Sequence, residues 1–239
     1  MTELWTKENQ IPIHYFLINF LLICSYTSYA QYIPSQIQSK VNIINGASAE
    51  CIMHRFYTNS GWIQIEGEIG RNGIDGLYYK KKHSVIREVL VAESKWNTSR
   101  LGLSGKGKII RQMSQEWVIR TLKRLQKYNP IPEYASILKL VKNGQYRARL
   151  FKLKPVGKES IQIIIYKIKN KGLKTFDKIK ETQIKPININ APRNSFEQGI
   201  VKAYNDCRAI YLHKYLPELT DQKVKLLLKD NYIQPKDID

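Results

Sequence analysis

Two stretches of the sequence decide the fold: Gly73-Ile-Asp-Gly-Leu-Tyr-Tyr79 and Val89-Leu-Val-Ala-Glu-Ser-Lys-Trp96. Both have the apolar and aromatic composition of buried strands, and the polar segment 80–84 between them predicts a turn. A hairpin folded at that turn brings Asp75, at the start of its first strand, next to the end of its second. Side chains alternate along a strand, so Glu93 and Lys95 lie on one face. Two carboxylates and one ammonium are therefore predicted to meet at the open end of a buried hairpin.

These three residue types suit the metal-assisted hydrolysis of a phosphodiester. Asp75 and Glu93 offer the hard oxygen ligands that Mg²⁺ or Mn²⁺ prefers. Lys95 would orient or deprotonate the attacking water, or balance charge in the transition state. The alternative is a cross-strand salt bridge in which Asp75 is only a turn residue, because Glu-x-Lys spacing is common by chance. The placement of both acids at strand ends favours the catalytic interpretation.

Three segments around these residues resemble a known family. They read Gly67-Glu-Ile-Gly-Arg-Asn-Gly-Ile-Asp-Gly-Leu-Tyr78, Glu93-Ser-Lys-Trp-Asn-Thr-Ser-Arg-Leu-Gly102 and Gln112-Met-Ser-Gln-Glu-Trp117. Together they resemble the PD-(D/E)xK nuclease superfamily, and most of all the C-terminal nuclease domains of bacterial polymorphic and contact-dependent inhibition toxins. The resemblance covers residues 45–126, about a third of the chain.

The resemblance implies a role for four residues. Asp75 and Glu93 would bind Mg²⁺ or Mn²⁺, Lys95 would be catalytic, and Glu50 would be the additional acid that many members carry on the helix before the first strand. It further implies tRNA or DNA as substrate and a cognate immunity protein as partner. The sequence departs from the family pattern in one place, since Ile74 stands where the superfamily name has a proline.

The composition indicates a polyanionic partner. The 239 residues carry a formal net charge of +19, and 43% of them are hydrophobic, which is enough for one large domain or two small ones. A fold does not need such a charge imbalance, which costs self-repulsion. Nucleic acid or an anionic membrane accounts for it.

The amino terminus has the pattern of a cleaved signal peptide. Residues 13–24 form an apolar run that is short for a membrane span, and Ser28 and Ala30 are small residues at the positions that a signal peptidase reads. We expect processing after Ala30, export from the cytoplasm and no stable membrane anchor. The alternatives are a misassigned start codon or a buried hydrophobic helix.

Cysteine and histidine form no recognisable motif. Cys51 and Cys207 would remain after processing; an exported chain could pair them, but small buried side chains are the favoured interpretation. The four histidines have no metal-ligand spacing, so we expect no zinc site.

A helix over 47–57 is predicted before the hairpin, after an irregular lead at 31–44. Glu50 falls in its first turn, where an acid also stabilises the helix dipole, so its role as a metal ligand stays open. The alternating segment 62–69 predicts a first strand. It carries Glu68, a second candidate for the additional acid.

The segment after Lys95 is basic and rich in glycine. Arg100, Lys106 and Lys108 are predicted to contact the phosphate backbone, although a solvated loop is also consistent with the pattern. A helix is expected over 109–127. Gln112 and Gln115 flank its inner face, as either weak site candidates or surface residues.

The carboxyl-terminal half adds basic strands and helices. Segments 145–154 and 160–169 predict strands, and residues 151–185 hold ten lysines against three acids. Lys167, Lys169 and Lys171 are predicted to contact nucleic acid, with a solvated lysine face as the alternative. A Ser-x-x-Gln capping box at Ser195 predicts one helix, and Thr220 is expected to cap a last one.

The sequence therefore predicts an α/β protein with a restriction-endonuclease-like α-β-β-β-α-β core, a mixed sheet and an α-rich C-terminal extension. The expected division is a signal peptide at 1–30, the irregular lead, a nuclease core at 45–183 and a helical extension at 184–239. A metal-dependent nuclease, acting as an exported toxin, is the expected function. Two alternatives remain: a housekeeping nuclease of repair or junction resolution, and a basic nucleic-acid-binding module without catalysis.

Overall fold

The predicted hairpin forms strands β4, Gly76–Lys82, and β5, Val85–Trp96, which pair antiparallel. The computed structural model describes residues 38–230 except 70–71, 105–106, 108 and 173. The turn is shorter than predicted, because only His83 and Ser84 lie outside the strands. Both have positive φ, 50° and 64°, which a two-residue turn of this twist requires.

Five helices and eleven strands are present among the described residues. The other elements are α1, 38–59; β1, Ile63–Ile65; β2, Glu68–Ile69; β3, Asn72–Gly73; β6, Leu103–Ser104; β7, Ile110–Arg111; α2, Gln115–Tyr128; α3, Pro132–Lys142; β8, Arg147–Val156; β9, Ser160–Asn170; β10, Phe176–Gln183; β11, Ile187–Asn188; α4, Ser195–Tyr215; and α5, Asp221–Leu227. None of the helices in this part of the chain has the length and apolar character that crossing a membrane requires.

Seven of the strands form one mixed sheet in the order β1-β4-β5-β8-β9-β10, with β11 added to β9. Strand β8 runs parallel to β5, and every other pair in this sheet is antiparallel. A parallel neighbour needs a crossover, and α2 with α3 supplies it. The prediction of an α/β protein with a mixed sheet is confirmed.

Helices cover both faces of the sheet. One face packs on α1 and α4 through side chains such as Met53, Phe151 and Tyr204, and the other packs on α2 and α3 through Val91, Leu122 and Ile137. We call these the α1 face and the α2 face. The hydrophobic core on the α1 face includes residues from both sides of 183/184, the expected boundary between the nuclease core and the helical extension. This is because α4 lies directly on the sheet.

A disulfide joins Cys51 of α1 to Cys207 of α4. The favoured interpretation of two separate buried thiols was wrong. The two cysteines lie 156 residues apart in the sequence. Their pairing follows from the packing of two helices on one sheet face, which local sequence cannot show.

Three helix boundaries differ from the predictions. Residues 38–44 are helical, so the lead is not irregular there and α1 continues through Asn45 and Gly46. Helix α2 begins at Gln115 instead of 109, because Met113 takes a left-handed conformation and the side chain of Ser114 accepts a hydrogen bond from the Trp117 amide. Helix α4 is capped by Asn194.

Two strand predictions also differ. The segment 62–69 is divided into β1 and β2 around Glu66 and Gly67. Strand β10 was not predicted, since all its residues after Asp177 are exposed and no apolar alternation marks it.

Candidate active site

The open end of the hairpin brings Asp75, Glu93 and Lys95 together as predicted. Gly76 pairs with Ala92, so Asp75, one residue earlier, lies opposite Glu93. The Ser94 amide donates to Asp75 Oδ2 at 2.9 Å. Lys95 Nζ donates to Glu93 Oε1 at 2.7 Å. The register of the hairpin thus determines the relative positions of the two carboxylates and the ammonium.

Glu93 is the most deeply buried of the three. Its relative exposure is 0%, whereas the Lys95 side chain keeps 17%. Burial raises the pKa of Glu93 well above its ordinary value, and the charge of Asp75 raises it further against the opposing effect of Lys95. Burial likewise raises the pKa of Asp75. Two carboxyl groups placed side by side in this way favour a bound cation or a retained proton.

Gln112 completes the surroundings of Glu93. Its Nε2 donates to Glu93 Oε1, the oxygen that also accepts from Lys95, and its Oε1 accepts from the Gly102 amide at 3.1 Å. Gln112 lies just after β7 in a loop, not on the predicted helix. Gln115 lies elsewhere, since its Nε2 donates to the Val141 carbonyl at 2.9 Å at the end of α3.

Three further acids lie around Asp75. Burial and the charges of Glu50, Asp75 and Glu66 raise the pKa of Glu68 to about 7. Glu50 also contributes to the raised pKa of Asp75. Both candidates for the additional acid therefore lie within electrostatic range of the hairpin end.

A histidine and a tyrosine that the sequence did not single out extend this group. His54 Nδ1 lies 2.7 Å from Tyr78 Oη, and its Nε2 lies 3.4 Å from Glu50 Oε1. The available signal was the spacing of Glu50 and His54, four residues apart on a helix, which places them on the same side. Tyr78 is fully buried, and burial strongly raises its pKa.

Two clefts meet at Asp75. One, of about 530 Å³, lies on the α2 side; the residues lining it include Glu68, Asp75, Gln112, Trp117, Arg120 and Arg124. The other, of about 570 Å³, lies on the α1 side; its lining includes Glu50, Asp75, Ser94, Lys95, Trp96 and Arg100. A ligand in either cleft reaches Asp75.

The predicted nucleic-acid contacts lie at different places in the structure. Arg100 shares a cleft with Lys95, whereas Lys106 and Lys108 lie outside the described residues. Lys167 pairs with Arg149, which pairs with Ala92. Ala92 belongs to the α1-face core, so Lys167 and Lys169 point to the face opposite Glu93. Lys171 forms an exposed ion pair with Asp177 at 2.9 Å.

The donors at the hairpin end suit a divalent cation. Glu93 Oε2 is buried and has no hydrogen-bond partner among the described residues, which leaves one carboxylate oxygen for another ligand. Asp75 and Glu93 supply the carboxylate chemistry that Mg²⁺ and Mn²⁺ prefer. Within the described residues, no group of three His, Cys, Asp or Glu side chains is already arranged as a metal site.

No family model, curated protein or solved structure matches this chain.

Proposed function

We propose that this chain is a metal-dependent nuclease that hydrolyses phosphodiester bonds. The observation that carries the proposal is the hairpin end, where Asp75 lies opposite a buried Glu93. One Glu93 oxygen accepts from Lys95, and the other has no hydrogen-bond partner among the described residues. A salt bridge serving stability alone would not require a second carboxylate at a point where burial raises the pKa of both carboxyl groups and the charge of Asp75 raises that of Glu93 further.

The order of elements supports a restriction-endonuclease-like core. Helix α1 is followed by the antiparallel strands β1, β4 and β5, then by α2 and α3, and then by β8 parallel to β5. This is the α-β-β-β-α-β order, with Asp75 directly before its second strand and Glu93 near the end of its third.

Each residue of the site has a distinct task in this mechanism. Asp75 and Glu93 would hold the cation, and Gln112 keeps the Glu93 carboxylate in place through its hydrogen bond. The cation would polarise the phosphoryl oxygen and lower the pKa of a water. Lys95, partly exposed beside Glu93, donates a hydrogen bond to the water or to the phosphoryl oxygen as negative charge develops.

An exported toxin acting on tRNA or DNA is the form of this function that we favour, with a cognate immunity protein as partner. The Cys51–Cys207 disulfide supports it, because such bonds form and persist in oxidising compartments. A housekeeping nuclease would remain in the reducing cytoplasm. The expected signal peptide at 1–30 lies outside the described residues; amino-terminal sequencing of the native protein should find Gln31 first, and an intact Met1 in the cytoplasmic fraction would contradict export.

One incubation tests the activity. Total RNA and plasmid DNA are exposed to the protein with Mg²⁺ or with EDTA, alongside the Asp75→Ala variant. We expect cleavage of one substrate by the wild-type protein in Mg²⁺ alone. Cleavage that persists in EDTA, or at the wild-type rate in Asp75→Ala, would contradict the proposal.

A further inference from the structure

The sheet register places a second lysine next to Lys95. Lys95 pairs with Lys152 across the parallel β5–β8 ladder. Residues directly opposite each other in a ladder point to the same face, so Lys152 stands on the α2 face beside the proposed catalytic lysine. Lys154, two residues further along β8, points the same way and is exposed.

The same face continues outward to the edge strand. Glu93 pairs with Leu150, and Leu150 pairs with Tyr166 of β9, so Tyr166 shares the face of Glu93. Lys178 of β10 lies over the Tyr166 ring, with Nζ 4.6 Å from the ring centroid. The tyrosine thus holds an exposed ammonium on the α2 face of the sheet.

The cations on this surface repel one another. Burial lowers the pKa of Lys152, and the charges of Lys178, Lys154 and Arg100 lower it further. None of the three lysines Lys152, Lys154 and Lys178 forms an ion pair with an acid in the part of the chain that the structure describes. A surface with three lysines that have no acidic partner among the described residues, next to the candidate site, suits a polyanion.

We propose that Lys152, Lys154 and Lys178 form a phosphate-binding shelf along which the nucleic-acid backbone leaves the site at Lys95. This inference rests on the proposed nuclease function and names the surface that holds its substrate. From Lys95 on β5 to Lys178 on β10 the distance is three strand spacings, about 14 Å. One strand of a duplex places about four phosphates along that length.

The opposite face of β9 provides a matched control. Lys167 and Lys169 are exposed lysines on the same strand as Tyr166 but on the α1 face. The shelf variant is Lys152→Gln with Lys178→Gln, and the control variant is Lys167→Gln with Lys169→Gln. Each removes two positive charges, so any difference between them reflects position and not net charge.

Binding is measured by fluorescence anisotropy in EDTA, which keeps the measurement independent of cleavage. The probes are a single-stranded RNA and a DNA duplex of equal length, titrated at several salt concentrations. The slope of log K against log salt should become shallower in the shelf variant by about 1.4 for the single strand or about 1.8 for the duplex. In the control variant the slope should change by less than half of that amount.

The outcomes separate the shelf from the proposed function. Equal slopes in the shelf and control variants, or no binding by the wild-type protein, would overturn the shelf even if Mg²⁺-dependent cleavage is found. A shelf-dependent slope without cleavage would contradict the nuclease and leave the shelf standing. Binding to phosphatidylserine vesicles is measured as well. If the shelf variant lost vesicle binding but bound nucleic acid as the wild-type protein does, the surface would be assigned to a membrane.

Discussion

At the residue scale, a substitution of the partly exposed Lys95 tests catalysis separately from metal binding. Lys95→Ala removes the ammonium but neither of the two carboxylates, so we expect metal affinity to persist. Cleavage should slow by roughly 10²–10⁴, the usual contribution of a positioned acid or base. Steady-state cleavage assays check this. Lys81→Ala is the control, since Lys81 lies near the turn of the hairpin and donates to Glu133 at 3.2 Å. An equal loss in both variants would contradict a catalytic role.

Two glutamines near α2 give a second comparison. Gln112 bonds Glu93, whereas Gln115 bonds the end of α3. Gln112→Ala should reduce cleavage by about 10–100-fold, as loss of a hydrogen bond to a metal ligand does. Gln115→Ala should lower the free energy of unfolding by about 1 kcal/mol without changing cleavage. Cleavage rates and urea unfolding of both variants test this, and the reverse pattern would place the site elsewhere.

The raised carboxyl pKa values predict how stability depends on pH. Glu68 ionises near its ordinary pKa of 4.5 when the chain is unfolded and near 7 when it is folded. Between these values the folded state binds more protons, so its stability falls as pH rises. Without divalent cations, Tm should decrease from pH 5 to pH 7.5. Mg²⁺ or Mn²⁺ should raise Tm more at pH 7.5 than at pH 5.

Glu68→Gln is the control for this titration. A neutral amide removes one of the raised carboxyl groups, so the decrease in Tm without metal should be smaller than in the wild-type protein. Scanning calorimetry at both pH values provides the measurement. A Tm that rises with pH in the absence of metal would contradict the crowding of carboxyl groups at the hairpin end.

The central triad was predictable from sequence for a simple reason. Strand alternation and a short turn fix Asp75, Glu93 and Lys95 relative to each other within 21 residues. The neighbours of the triad were harder to predict. Contact between His54 and Tyr78 depends on how α1 crosses the sheet, and the Gln112 contact depends on a loop that the sequence pattern assigns to a helix.

At the scale of elements, apolar periodicity located helices and strands better than it located their ends. The apolar residues from Ile110 to Leu122 continue across the start of α2, so their spacing conceals the break at Met113 and the cap at Ser114. Strand β10 shows the opposite limit. Its pairing with β9 is set by backbone hydrogen bonds, and its exposed side chains carry no signal of a strand.

The register of β9 had the largest consequence for the substrate surface. Lysine density alone drew attention to Lys167 and Lys169, but a register change of one residue reverses the face of every side chain. The pairing of Leu150 with Tyr166 places Tyr166 on the face of Glu93. Lys167 and Lys169, one and three residues later on the same strand, therefore lie on the opposite face.

At the scale of the whole molecule, the disulfide joins α4 to α1, the helix that carries Glu50. Closing a loop across 156 residues restricts the unfolded chain. Replacing both cysteines with serine should lower the free energy of unfolding by about 2–5 kcal/mol. Urea unfolding of the oxidised protein and of the double variant tests this. Two reactive thiols in the denatured, unreduced chain that begins at Gln31, which lacks Cys24, would contradict the bond.

The most direct test of the central claim is a calorimetric titration with Mn²⁺. The isosteric variant Glu93→Gln keeps the shape of the site and removes a ligand charge. The matched control is Glu88→Gln, on the same strand, where Glu88 accepts from Arg147 at 2.7 Å. We expect one Mn²⁺ site in the wild-type protein and in Glu88→Gln, and none in Glu93→Gln or Asp75→Asn. Equal Mn²⁺ affinity in the wild-type protein and Glu93→Gln would contradict this expectation.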